Sequence, residues 1–241
     1  SIAKTIVACS ERVGGIITLD DLNGYRSKEE TPVQTTFNGY EISGQDTWTQ
    51  APMLMQVLNI LEAYDLKAMG HNSPVYIHTV TEALKLTFAD REAYYGDPEY
   101  SDIPLDGLLS REYAARRRGH INGDLAYPQM PPAGDPWRYS TRRKPSSSIS
   151  VTVCNSVPNA YEGTTADGTT HVAVLDRQGN MVSGTISGGA FAKSVFFPEL
   201  GCALSTRIEM FNFEQGHPNV VEPGKRPRTT LVSYIVSKNS R

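Results

Sequence analysis

Apolar residues recur at helical spacing through the first half of the chain and in alternating or unbroken runs through its last third, so helices are expected early and strands late. The opening stretch SIAKTIVACSERVGG reads as a helix ended by Gly14-Gly15, followed by a short apolar strand at Ile16-Ile17 and a second helix capped by Asp20 or Asp21. TPVQTTFNGYEISGQD alternates as a strand pair with Asn38-Gly39 at the turn. Between Ala51 and Ala68, the residues Met53, Leu54, Val57, Leu58 and Leu61 share one helical face. Ser73-Pro74 marks the entrance of a further helix whose buried stripe is Val80, Ala83, Leu84, Thr87 and Phe88.

From Gly123 to Gly168 the pattern is broken by Pro128, Pro131, Pro132, Pro136, Pro145 and Pro158 and by the run PSSSIS. A connection of that length with little regular structure is either disordered or functional. Beyond it, THVAVL is apolar on both faces, as a strand buried between two layers would be; DRQGN reads as a turn and MVSGTIS as the returning strand. With Asp176 to Asn180 as the loop, Leu175 faces Met181, Val172 faces Gly184 and Thr169 faces Ser187, so two hydroxyls meet at the open end of the hairpin.

Composition sets limits on function rather than choosing one. A chain of 241 residues with 39% hydrophobic content can bury a core, which excludes wholesale disorder. The net charge of −3 and the scattered basic groups, Arg116 to Arg118, Arg142 to Lys144 and Lys225-Arg226, read as solvated surface and exclude a nucleic-acid stripe. No apolar run approaches the roughly 18 residues of a membrane span, so a soluble chain, cytoplasmic or periplasmic, is expected. Cys9, Cys154 and Cys202 are far apart and odd in number, suited neither to a disulfide framework nor to a zinc site.

The hydroxyl pair at the hairpin's open end raises a chemical possibility. A threonine hydroxyl needs a base, and a threonine at the start of a chain carries its own: an α-amino group with a pKa of about 7.7 to 8.0 beside the hydroxyl. Releasing that amine requires a cut between Gly168 and Thr169, and glycine tolerates the strained backbone that would bring the threonine oxygen onto the preceding carbonyl. On spacing alone, Thr-Thr-His at a strand entrance is more often just a strand entrance.

The segments GGIITLDDLNGYRSKEETPV, MQVLNILEAYDL, EALKLTFADREAYYGDP, TTHVAVLDRQGNMVS and EPGKRPRTTL follow one another in the order and spacing of the γ-glutamyltranspeptidase family, which the chain resembles over essentially its whole length. The resemblance implies an α+β fold, the four-layer αββα sandwich of the N-terminal-nucleophile hydrolases, of which this chain is part. It also implies one precursor that cuts itself into a large and a small subunit, forming a heterodimer with scope for further oligomerisation. Residues 1–168 then belong to the large subunit, with 123–168 as processing linker, and 169–241 begin the small one, the two making one structural domain. In that pattern Gly168-Thr169 is the cleaved bond, Thr169 the nucleophile and Ser187 the second hydroxyl. Gly189 stands where members that hold a γ-glutamyl group have asparagine, Met210 with Glu209 beside it where they have an aspartate for the substrate's amino group, and Thr229-Thr230 where paired serines meet the substrate carboxylate. An arginine for that carboxylate is expected before Ser1 and the glycine pair of the oxyanion hole after Arg241.

Other constellations fare less well. His78 and Glu82, at i and i+4, are an exposed pair more often than metal ligands. His171 shares the nucleophile's face of its strand, with a structural role favoured. Asp90, Glu92 and Asp97 are better explained by capping and salt bridging than by sugar chemistry, and Met53 and Met55 by core packing. EPGKRPRTT lacks the first glycine of a phosphate loop. The expected function is a self-processing threonine amidohydrolase or acyltransferase, with no metal or organic cofactor, acting on small γ-glutamyl amides. Its alternatives are an amidohydrolase for short acid amides of the oxamate kind and an uncut, non-catalytic scaffold.

Overall fold

The structure, a computed structural model, describes residues 1–145, 169–189 and 194–238. Helix α1 (Ile2–Arg12) ends as expected at Gly14, whose φ of +78° is open to glycine. The strand expected at Ile16-Ile17 does not form: two residues with no neighbouring strand to pair with leave Ile16 91% exposed. They lead into α2 (Leu19–Gly24), whose cap is Thr18 and not Asp20 or Asp21. Thr18 Oγ1 accepts from Asp21 N–H at 3.1 Å while Thr18 N–H donates to Asp21 Oδ2 at 2.8 Å. This reciprocal capping box places the aspartate three residues inside the helix and lowers its carboxyl pKa.

Strands β1 (Val33–Phe37) and β2 (Tyr40–Gly44) form the expected hairpin, with Asn38 and Gly39 both at positive φ. Helix α3 (Ala51–Leu61) packs so closely on β2 that a Cβ at Gly44 would stand 2.8 Å from the Ala51 side chain. Helix α3 stops at Leu61, short of the expected Ala68, and a separate turn, α4 (Leu66–Met69), starts at Asp65, whose side chain caps it. Its buried residues include Met55, Gln56 and Asn59 as well as Val57, Ile60 and Leu61, because β1, α5 (Pro74–Tyr94) and α7 (Arg111–Arg118) all pack against it. Met53 and Met55 are core residues as expected: Met55 is buried and Met53 packs against the cluster of Tyr95, Ile103, Leu108 and Tyr113.

The Ser73 hydroxyl caps α5, accepting from Tyr76 N–H at 3.2 Å. Ala83 and Thr87 of its expected stripe are buried, and so are Leu86, Glu82, Asp90 and Arg91, which the stripe left out. Between α5 and α7 lies the short helix α6 (Leu105–Leu108), and residues 123–145 hold one 3-10 turn, Pro136–Tyr139.

The later part of the chain returns to this body through one strand. Strand β3 (Thr170–Leu175) pairs with β4 (Met181–Ile186), β5 (Phe196–Phe197) with β6 (Cys202–Ala203), and β7 (Tyr234–Ser237) joins the first sheet antiparallel to β2. The THVAVL strand is exposed along its whole length, contrary to the expectation of burial between two layers. Among the described residues β4 is its only pairing neighbour, and one face of this ribbon carries Val172, Val174, Val182 and Ile186 to solvent.

Charges hold the later segment down. Asp97, just beyond α5, accepts from Arg226 N–H at 3.0 Å and from Arg226 Nη2 at 2.8 Å. Arg226 also bonds Glu30 and lies 4.9 Å from the Trp48 ring. Arg228 Nη2 reaches Glu92 Oε2 at 2.8 Å and its Nη1 the Arg91 carbonyl at 2.9 Å. The basic groups are therefore not all solvated surface: Arg117 is buried against Asp90, and Lys225 and Arg228 are buried too. Asp90, Glu92 and Asp97 are engaged in salt bridges, as expected. Burial raises Asp90 above the ordinary carboxylate range, in spite of Arg117 beside it.

Burial also acts to raise the carboxyls of Asp97 and Glu92, but the arginines facing them outweigh it and both lie below their ordinary values of 3.8 and 4.5. A lowered native pKa stabilises the fold fully above the ordinary value and is lost as pH falls through the native one. The part of the stability that Asp97 and Glu92 contribute should thus be flat near neutral pH and fall below about pH 4.5, read as the difference between thermal melts of the parent protein and of an Asp97 variant. Asp97→Ala should cost about 3 kcal/mol at neutral pH by removing the buried carboxylate that the N–H, Nε and Nη2 of Arg226 all bond, and should flatten that acid limb.

Candidate functional site

The site is built at the open end of the β3–β4 ribbon. Asp176 organises the closed end, where its Oδ1 accepts from the N–H groups of Gln178 and Asn180 at 2.9 and 2.8 Å and Gly179 takes a φ of +88°. The register that follows pairs Leu175 with Met181, Val172 with Gly184 and Thr170 with Ile186, as the five-residue loop requires. Continued by one residue it sets Thr169, which is exposed, opposite Ser187. Gly168 and the stretch 146–168 lie outside the described residues, as does Cys154.

On the same face, His171 Nδ1 lies 2.8 Å from Thr185 Oγ1 and its Nε2 3.4 Å from Ser183 Oγ. Thr185 Oγ1 in turn donates to the Val232 carbonyl at 2.6 Å. These bonds tie β3 to β4 and β4 to the segment entering β7, which is the structural role expected of His171.

The second wall is the 3-10 turn Arg207–Met210, docked by the N–H of Thr206 donating to the Gly188 carbonyl at 2.7 Å. Gly189 has a φ of +93°, and a Cβ there would stand 2.3 Å from Thr206 Oγ1. Both facts require glycine at this position in this arrangement. Glu209 helps line an open cavity of about 360 Å³ with Ser10, Val13, Phe197 and Thr206, and Thr206 Oγ1 donates to its Oε1 at 3.3 Å. The third wall is the run before β7. Thr229 is buried, its N–H donating to the Trp48 carbonyl at 2.8 Å and its hydroxyl accepting from Leu231 N–H at 3.1 Å. Thr230 is exposed, and its carbonyl accepts from Gln50 Nε2 at 3.1 Å.

One side chain that the sequence reading passed over joins these walls. Arg207 Nη2 donates to Ser187 Oγ at 2.9 Å, and Nη1 to Thr230 Oγ1 at 3.3 Å and to Met210 Sδ at 3.4 Å. Ser187, Met210 and Thr230 are thereby brought to a single guanidinium, while Glu209 and Thr229 turn elsewhere. The available signal was position: Arg207 stands three residues before Met210, in the stretch where the family resemblance leads one to expect substrate contacts.

His78 and His217 are held by backbone groups of the fold. His78 and Glu82 are not an exposed pair: Glu82 is buried, bonded to Lys85 and to Tyr127 N–H, while His78 Nε2 lies 2.7 Å from the Asn122 carbonyl. His217 is buried between the Glu92 carbonyl and Asn219 N–H, and burial lowers its pKa. No group of three or more metal-ligating side chains occurs among the described residues, and no described helix is long and apolar enough to cross a membrane.

Comparison with known proteins places this arrangement. The family model for gamma-glutamyltranspeptidase matches residues 1–241. Glutathione hydrolase proenzyme of Bacillus subtilis (strain 168) is 31% identical over 99% of the chain and 39% of the relative, and Acylase ACY 1 proenzyme of Pseudomonas sp. (strain V22) is 30% identical over 95% and 36%. The crystal structure of cephalosporin acylase from Bacillus halodurans superimposes with a TM-score of 0.76 at 27% identity, covering 100% of this chain and 38% of that one. The fold is thus the α+β fold of the N-terminal-nucleophile hydrolases. The chain belongs to the γ-glutamyltranspeptidase family and spans about two fifths of the length of the relatives it matches.

Replacing Gly189 tests the geometry of the second wall. Gly189→Asn, which supplies the side chain that the family resemblance leads one to expect here, should lower stability by about 1 to 3 kcal/mol in thermal melts and give no gain in γ-glutamyl turnover, because the positive φ and Thr206 both oppose it.

Proposed function

We propose that the full protein is a self-processing amidohydrolase in which Thr169 is the nucleophile. Cleavage of the Gly168-Thr169 bond frees the Thr169 amine, which takes the proton of the neighbouring hydroxyl as the oxygen attacks an amide carbonyl. Collapse of the tetrahedral adduct expels the amine and leaves an ester on Thr169. Water, or an acceptor amine, then releases the acyl group. Ser187 orients the hydroxyl from across the ribbon. The observation that carries this reading is the β3–β4 register, which leads to Thr169 opposite Ser187, at the start of a strand in a chain that matches the family along its whole length.

In this reading residues 1–168 and 169–241 fall in the large and small subunits, and stay together as one domain after the cut. The pairing of β7 with β2 and the bonds of Arg226 and Arg228 to Asp97 and Glu92 support that cohesion. Proenzyme names among the relatives support a single larger precursor. Retained nucleophile chemistry with altered contacts at Gly189 and Met210 favours hydrolysis of a short acid amide over γ-glutamyl transfer.

Freshly made full-length protein should convert from one band to two on a denaturing gel, the smaller fragment having the mass of a chain that starts at Thr169. Thr169→Ala should abolish both conversion and turnover. Thr169→Ser should keep both at a reduced rate, since serine supplies the same amine and hydroxyl. A single persistent band in the parent protein would instead identify an uncut scaffold.

A further inference from the structure

The arginines that join the late segment to the end of α5 finish on carboxylates. Arg226 pairs with Asp97 and Glu30, and Arg228 with Glu92. Arg207 differs: the three hydrogen bonds of its guanidinium go to the neutral acceptors Ser187 Oγ, Thr230 Oγ1 and Met210 Sδ, and no carboxylate among the described residues forms an ion pair with it. Its Nε is buried with no hydrogen-bond partner, as are those of Arg91, Arg117 and Arg228, so what sets it apart is the missing carboxylate. A guanidinium has five N–H donors in a planar fork suited to a carboxylate, and its charge is always present. Oriented by neutral groups and short of acceptors, this one is arranged to receive an anion.

Its position sets the size of that anion. Arg207 touches Ser187, and Ser187 lies across the ribbon from Thr169 by continuation of the register. Directly opposed residues in an antiparallel pair are about 5 Å apart, so a group bound by the guanidinium lies within a short chain's length of the reacting carbonyl. An ammonium beside that group would meet the guanidinium's like charge, and Met210, whose thioether lies 3.4 Å from Nη1, offers it no charge in return.

Resting on the reading of Thr169 as nucleophile, we infer that Arg207 sets acyl specificity: it takes the free carboxylate of a short dicarboxylic acid monoamide that carries no ammonium group beside that carboxylate.

Three p-nitroanilides isolate the groups involved. Glutaryl p-nitroanilide has the carboxylate alone, γ-glutamyl p-nitroanilide adds the ammonium, and butanoyl p-nitroanilide has neither. The processed full-length protein should prefer the glutaryl compound. Arg207→Gln should lower kcat/KM for it by about 10- to 100-fold more than for the butanoyl compound, the extra loss falling mainly on KM. Arg207→Lys should recover part of the loss. An equal fall with all three substrates would reduce Arg207 to a packing role, and a parent preference for the γ-glutamyl compound would also overturn the inference. Thr169→Ala distinguishes the two levels of the argument: residual turnover of all three compounds in that variant would sink the nucleophile reading, whereas the Arg207 result concerns only their ratio. Should Arg207→Gln fail to process, inhibition of the parent protein decides the matter. Glutarate should then compete at least about 10-fold better than butanoate, and equal inhibition would contradict the assignment.

Discussion

Everything at the site depends on two arginines that anchor the late segment of the chain to the end of α5. Arg226 and Arg228 reach Asp97 and Glu92, and with them comes the run that carries Thr229 and Thr230. Asp97 is almost wholly buried, so the pair contributes mainly through the cost of breaking it: without Arg226 the carboxylate is a desolvated charge. The bond also carries topological information. Once it is made, β7 lies beside β2, and Val232 and Ser233 lie beside Thr185 of the β3–β4 ribbon.

From that anchor the site assembles by short polar contacts rather than by burial. Thr185 joins His171 to the Val232 carbonyl, Thr206 joins the turn Arg207–Met210 to Gly188, and Arg207 links the three walls. Such a surface keeps its hydroxyls open to a substrate while fixing their relative positions. The apolar face of the ribbon, with Val172, Val174, Val182 and Ile186, is the part of the chain whose residues most plainly exceed their present cover. In relatives more than twice this chain's length, further structure is available to meet such a face.

Local chemistry was legible in the sequence and long-range chemistry was not. Asn38-Gly39 and the Asp176–Asn180 loop specify their hairpins through positive φ and side-chain bonds to nearby backbone, so register followed from counting residues. Ser73 announced α5 in the same way. Thr18 was overlooked as a cap because aspartates follow it, and the capping box uses one of those aspartates at its third position. The exposure of THVAVL could not be read from its composition, because composition describes what a strand can bury and not what is present to bury it. Asp97 and Arg226 lie 129 positions apart, and no periodicity connects them. Glu82 and Arg117 likewise looked like surface charges until folding supplied partners. Arg207 escaped for a related reason: its significance lies in the three elements that it touches.

The central claim is that the oxygen of Thr169 carries the acyl group during turnover. Rapid acid quench during turnover of an activated amide, followed by mass mapping of the small fragment, tests it most directly. An added acyl mass on the peptide that begins with Thr169 is the expected result. An acyl mass on another residue, or turnover at full rate with Thr169 unmodified and still joined to Gly168, would contradict it.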